Sequence, residues 1–273
     1  MTEQAIESIG SGLVTWYQRA GVGWITLTNP PANGYSYDMM QDLDRAILRA
    51  RFDDSVHVVV IAGAGEKFFC AGADIAMLDG VTPAFKYQFC LHANETMLRL
   101  EHTSKLVIAA IDGHCVGGGL EVALACDLRI ARRGSGRCGL PEVNLGVLPG
   151  TGGTQRLARI LPRDRAIDLM ATGKLFDFER AQELGLVTRV IDSEAGASFV
   201  AEVQAIAESF CPPNRASKAV GLIKRSVQSG SDLPLESGLA LERELQQRLF
   251  ESADATEGIR AFVEKRKARF EGR

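Results

Sequence analysis

Hydrophobic and polar positions follow two regimes along this chain, and the change falls near Ser193. In the first regime, short apolar runs alternate with helical periodicities. Residues 13–18 and 23–28 alternate or run apolar around Arg19-Ala20-Gly21-Val22, which predicts an antiparallel hairpin with Trp16 and Trp24 as packing residues. Asn29-Pro30-Pro31-Ala32-Asn33-Gly34 reads as a turn. Residues 38–51 carry Met39, Met40, Leu43, Ala46, Ile47 and Ala50 at helical spacing. The runs 56–63 and 106–111 have the length and β-branching of buried strands, and His57 reads as structural. Between them, 83–100 predicts a long helix. A short helix is expected from about Gly118, with Val122, Leu124, Ala125 and Leu128 on its buried side. Residues 166–172 and 177–184 predict further helices, and 188–191 a last strand. In the second regime strand signals vanish. Helices are expected at 195–210, 215–228, 233–250 and 256–270, separated by Cys211-Pro212-Pro213-Asn214 and Ser229-Gly230-Ser231-Asp232. Repeated strand, turn and helix predict an α/β fold with mostly parallel pairing. The division is a core over 1–194 and a helical part over 195–273.

Composition narrows this little. The chain of 273 residues is 46% apolar and 24% charged, as soluble globular proteins are. A net charge of −3 with mixed signs argues against a nucleic-acid footprint. Six cysteines, none in a C-x-x-C pair, predict buried small hydrophobes rather than disulfides or a metal cluster. The acidic opening M-T-E-Q-A-I-E-S is neither a secretory signal nor an Arg-rich leader. No run nears the ~18 apolar residues of a membrane span. The expectation is a cytoplasmic protein.

Candidate chemistry concentrates between His114 and Arg156. Gly117, Gly118 and Gly119 follow the apolar run at 106–111 and allow a sharp turn into a helix. The first turn of that helix leaves N–H groups without internal partners, at the positive end of its dipole. A second small-residue turn, Ala71-Gly72-Ala73-Asp74-Ile75, offers another such amide, and Asp74 suits a helix N-terminus. Glu121 lies in the first helical turn, and Glu142 on a Pro-flanked loop. Paired amides stabilise an oxyanion, and paired carboxylates handle protons at two positions. By spacing alone, however, both glutamates are equally compatible with solvated positions. Tyr35 and Tyr37 fit either a pocket wall or a half-buried structural role.

The wording of the motifs weighs more than the spacing. F-F-C-A-G-A-D-I, I-D-G-H-C-V-G-G-G-L-E-V-A-L-A-C-D-L-R-I-A and L-P-E-V-N-L-G-V-L-P-G-T-G-G-T-Q-R-L resemble the enoyl-CoA hydratase/isomerase (crotonase) superfamily. So do A-x-E-L-G-L-V from Ala181 and E-G-I-R-A-F-V-E-K-R from Glu257. The resemblance implies a spiral of ββα units with a helical trimerisation region, assembled as a trimer or dimer of trimers. It implies an acyl-CoA thioester as substrate and no further cofactor or metal. It gives the oxyanion-hole amides as Ala73 and Gly118, the catalytic carboxylates as Glu121 and Glu142, and the CoA and substrate contacts as Ala71, Asp74, Ile75, Gly117, Phe262 and Lys265. Because both glutamates are kept, it implies reversible syn addition of water to a trans-2-enoyl-CoA, giving a 3-hydroxyacyl-CoA; fatty acid metabolism, amino-acid metabolism and secondary metabolism all use such enzymes. Two departures bear on the pocket. Asn33-Gly34-Tyr35 stands where the family often has N-A-L, and Ala76 where many hydratases have lysine. An extra residue in the 132–137 turn is one a surface turn absorbs. Alternatives are an enoyl-CoA isomerase, a hydratase of a branched or dicarboxylic enoyl-CoA such as methylglutaconyl-CoA, and a catalytically silent scaffold.

Overall fold

The computed structural model describes residues 5–273; the first four residues of the acidic opening lie outside it. Three strands begin the chain: β1 (Glu7–Ile9), β2 (Val14–Arg19) and β3 (Val22–Leu27), paired antiparallel. From there one pattern repeats. A strand joins a large sheet, a short strand joins a small one, and helical structure follows. The first turn is β4 (Val58–Gly63), β5 (Phe68–Cys70), α2 (Ile75–Asp79) and α3 (Pro83–His102). The second is β6 (Leu106–Ile111), β7 (His114–Val116) and α4 (Gly118–Leu124). The third is β8 (Leu128–Arg132), β9 (Cys138–Gly139), a 3-10 turn (Glu142–Leu145) and α5 (Gly153–Ile160). After α6 (Arg163–Thr172) and α7 (Phe178–Glu183) comes β10 (Arg189–Ile191), and the large sheet runs β1-β2-β3-β4-β6-β8-β10, parallel from β3 onward. The small sheet runs β5-β7-β9, all parallel. This is the spiral of ββα units.

The continuous apolar strands follow from burial on both sheet faces. On β4, Val59 and Ile61 face α1 (Tyr37–Phe52) and α3, among Met39, Leu43, Ile47 and Met97. Val58 and Val60 face α8 (Ala197–Glu208), among Phe199, Val203 and Trp24. The Trp24 indole donates to Gln204 Oε1 at 2.6 Å, which satisfies two polar groups in that buried face. Thus α8, first of the C-terminal helices, shares the core of the spiral. The later ones, α9 (Ser217–Gly230), α10 (Leu235–Phe250) and α11 (Ala253–Val263), carry exposed apolar residues including Val227, Leu235 and Phe250. No described helix is long and apolar enough to cross a membrane.

Several expectations need correction. The helix at Gly118 stops at Leu124, every residue of it is buried, and Leu128 begins β8. Alternating burial is absent because the helix is enclosed on all sides, so periodicity could not mark its end. The last helix stops at Val263 rather than 270, and Lys265 takes a left-handed φ of 55°. Strand β1 and helix α5 were not anticipated.

Candidate active site

The parallel order β5-β7-β9 determines what lies together, because the carboxyl ends of three adjacent strands open on one side. Crevices outside such ends are where open α/β sheets hold ligands. Each strand delivers one part of a cavity of about 600 Å³. After β5 comes Ala73, after β7 come Gly118 and Glu121, and after β9 comes Glu142. All four line that cavity, as do Ala71, Ile75 and Gly117.

The two amides are turned by the backbone around them. Tyr35 donates its N–H to Gly72 O at 2.9 Å and accepts from Asp74 N–H at 3.0 Å. Successive peptide groups of an extended strand point to opposite sides, so the N–H of Ala73 points away from Tyr35. Among the described residues it has no protein acceptor. Gly118 is the first residue of α4, and its N–H is one of the orphan donors of a helix start. Side chains here would close the site. A Cβ on Gly118 would lie 2.1 Å from the Tyr35 hydroxyl, and one on Gly72 (φ 96°) would lie 2.9 Å from Gly118 N.

The two carboxylates have opposite surroundings. Glu121 is buried and accepts three hydrogen bonds. Thr151 N–H reaches Oε1 at 2.8 Å, Gly153 N–H reaches Oε1 at 2.7 Å, and the Thr151 hydroxyl donates to Oε2. Gly153 opens α5, so that helix presents its positive end to the carboxylate. Glu142 has a buried Oε2 with no partner among the described residues. Burial pushes its carboxyl up to about 7 from an ordinary 4.5; a bond from its own backbone amide opposes this, the Glu121 charge adds to it, and Lys86 opposes it.

Other expected contacts sit differently. Asp74 is not on the cavity wall; its carboxylate caps α2, accepting from Ala76 N at 2.8 Å and Met77 N at 3.2 Å. Phe262 and Lys265 do not line the cavity of their own chain, and Phe262 is 86% exposed. Asn33 is structural, donating to Ala64 O and Phe68 O at 2.9 and 2.8 Å. Tyr35 lines the cavity and is fully rather than half buried, whereas Tyr37 is exposed and off the cavity wall. Thr151 and Gly153 were missed as partners of Glu121. They lie 30 and 32 residues away, and only the fold brings them to it. The loop bearing Thr151 is tied down by Arg156, which donates to Thr151 O at 3.2 Å and grips Glu101 with two bonds of 2.7 and 2.8 Å.

A ββα spiral with amides and carboxylates gathered at the ends of its small sheet defines an α/β class of protein. The family model for enoyl-CoA hydratase/isomerase matches residues 17–273. This chain belongs to that family. It is 35% identical to a short-chain-enoyl-CoA hydratase of Clostridium acetobutylicum over 90% of this chain and 92% of the relative. It is 36% identical to an (E)-benzylidenesuccinyl-CoA hydratase of Thauera aromatica over 92% and 96%. The crystal structure of an enoyl-CoA hydratase from Geobacillus kaustophilus HTA426 superposes with a TM-score of 0.92 at 42% identity, over 96% of this chain and 97% of that one.

Proposed function

We propose that the protein adds water reversibly across the double bond of a trans-2-enoyl-CoA, giving a 3-hydroxyacyl-CoA. The observation that carries this reading is that two free amides and two unlike carboxylates line one cavity. The thioester oxygen is held by Ala73 and Gly118 N–H, which meet the negative charge that develops as water attacks C3. Removing one such donor typically costs ~2.7–4 kcal/mol of barrier. Glu121, held by three donors, orients the water and takes its proton. Glu142, titrating near 7, delivers a proton to C2 on the same face and removes it in the reverse direction. Water gives its hydroxyl to C3 and a proton to Glu121 while Glu142 gives a proton to C2; Glu121 then releases its proton to solvent and Glu142 regains one from it, so water is the only net reactant. No further cofactor or metal is invoked.

Ala71, Ile75 and Gly117 flank the thioester in this reading. Phe262 and Lys265 contact CoA from a neighbouring protomer, since their own chain keeps them outside the cavity. The exposed apolar faces of α9 and α10 support a trimer or a dimer of trimers. The proposed compartment is the cytoplasm.

The acyl group is not selected by sequence identity, because relatives named for a short-chain and for an aryl dicarboxylic thioester are equally similar. Lys86, a cation on a wall that includes Leu78, Val81, Leu145 and Leu148, favours a carboxylate-bearing acyl group as a second reading. A panel of straight, branched and dicarboxylic enoyl-CoA thioesters, followed by loss of enoyl absorbance, tests both. Turnover of crotonyl-CoA supports the first reading, turnover of the dicarboxylic member alone the second, and no hydration of any member refutes the hydratase.

A further inference from the structure

The clamp on Glu121 extends one residue beyond Thr151. Tyr35 Oη lies 2.8 Å from Thr151 Oγ1, and the Thr151 hydroxyl in turn bonds Glu121 Oε2. All three side chains are buried, with exposures of 3%, 2% and 2%. All three also line the cavity, and the direction of these bonds follows from counting protons. The Thr151 hydroxyl donates its single proton to Glu121 Oε2, which leaves its oxygen to accept from Tyr35. Thr151 is the one hydrogen-bond partner of Tyr35 Oη among the described residues. In that direction every donor and acceptor in the chain is satisfied.

Tyr35 also bears on the other half of the cavity. Its backbone fixes the Gly72–Asp74 segment that turns the Ala73 amide outward, and its ring and hydroxyl occupy the space beside Gly118. Burial first, and then the Glu121 charge, push its hydroxyl far above the ordinary tyrosine range, so it remains a donor.

We propose that Tyr35 and Thr151 are positioning residues for hydration: a two-hydroxyl relay that holds the Glu121 carboxylate in a single orientation, and that joins it to the backbone carrying the oxyanion amides. Tyr35 stands at the third position of the Asn33-Gly34-Tyr35 turn, so the relay belongs to this chain's own departure from N-A-L. The inference rests on the reading of Glu121 as the base.

The test compares Thr151→Val, Thr151→Ser and Tyr35→Phe in the full-length protein with crotonyl-CoA. Valine keeps the shape of threonine and its backbone N–H but removes the hydroxyl. Losing a hydrogen bond to a charged group predicts a kcat lower by roughly 10- to 100-fold for Thr151→Val, with KM within about twofold. Serine keeps the hydroxyl and restores kcat to within a few-fold. Tyr35→Phe, which acts through Thr151, lowers kcat by roughly 3- to 10-fold without changing KM; it carries the test should Thr151→Val melt far below the wild type. Crystals of the leading variant give a readout independent of turnover: the Glu121 carboxylate leaves the Thr151 and Gly153 amides or takes two orientations. Unchanged kcat with Glu121 in its wild-type rotamer overturns the relay. If the wild type hydrates no enoyl-CoA, the proposed function fails, and the Glu121 rotamer alone decides whether the clamp exists.

Discussion

Glu142 and Glu121 are the same residue type in one cavity, and their surroundings set them apart. Three donors surround one, while a buried oxygen of the other has none. A carboxyl titrating near 7 is largely protonated below that pH, and the proposed hydration needs Glu142 protonated. The kcat/KM for hydration therefore falls as pH rises through about 7, and the reverse dehydration gains over the same range; a pH–rate series in both directions checks this. Glu142→Gln loses that limb and most of the rate, by roughly 10²–10⁴-fold. It also changes stability. The folded carboxyl titrates above its ordinary 4.5, so the wild type loses stability as pH rises from about 4.5 to 7, and glutamine does not. Thermal melts at pH 8 should place Glu142→Gln above the wild type, and at pH 4 close to it. That Ala73, Gly118 and both glutamates belong to one candidate site was legible in the sequence, because each lies in a contiguous motif with a local turn or helix start, and all four line one cavity. The unequal environments of the carboxylates were not, since they depend on Thr151 and Gly153 arriving from a separate loop.

At the scale of elements, strands were easiest to read where both faces are buried, as in β4 and β6, because the whole run is then apolar. The start of α4 was legible but its enclosure hid where it ends, and the two-residue β9 gave no period to read. Contacts between elements were also hidden, and the clearest case is α9. Lys224 reaches from that helix to Asp127 Oδ2 at 2.8 Å, Leu100 O at 2.8 Å and Lys105 O at 3.1 Å. Asp127 Oδ2 also accepts from Val107 N at 2.7 Å. This buried pair joins the helical region to the end of α3 and to β6. Burial opposes both charges, lowering the Lys224 titration and raising that of Asp127. Removing one partner leaves the other charge buried alone, which typically costs about 3–5 kcal/mol. Urea denaturation of Lys224→Ala should show a loss of that size with the slope unchanged. A variant as stable as the wild type would mean that α9 is not anchored there.

For the whole molecule, the spiral explains why segments far apart in sequence meet at one cavity: each turn adds one short strand, and the three ends align. The repeating strand–helix pattern predicted α/β layers, while the second, small sheet was hidden because its strands have two or three residues. Beyond one chain, the exposed apolar residues Ile223, Val227 and Leu239 on α9 and α10 predict assembly. Sedimentation should give three or six times the mass of the chain, and Val227→Glu should shift it toward the monomer. A wild-type monomer at micromolar concentration would remove the proposed contact of Phe262 and Lys265 with a neighbour's CoA.

The most direct measurement is hydration of crotonyl-CoA in deuterium oxide, with NMR of the product. Two carboxylates acting from one side predict a single deuterium at C2, added on the same face as the oxygen at C3. Anti addition, deuterium on both faces, or no 3-hydroxyacyl product would contradict the account.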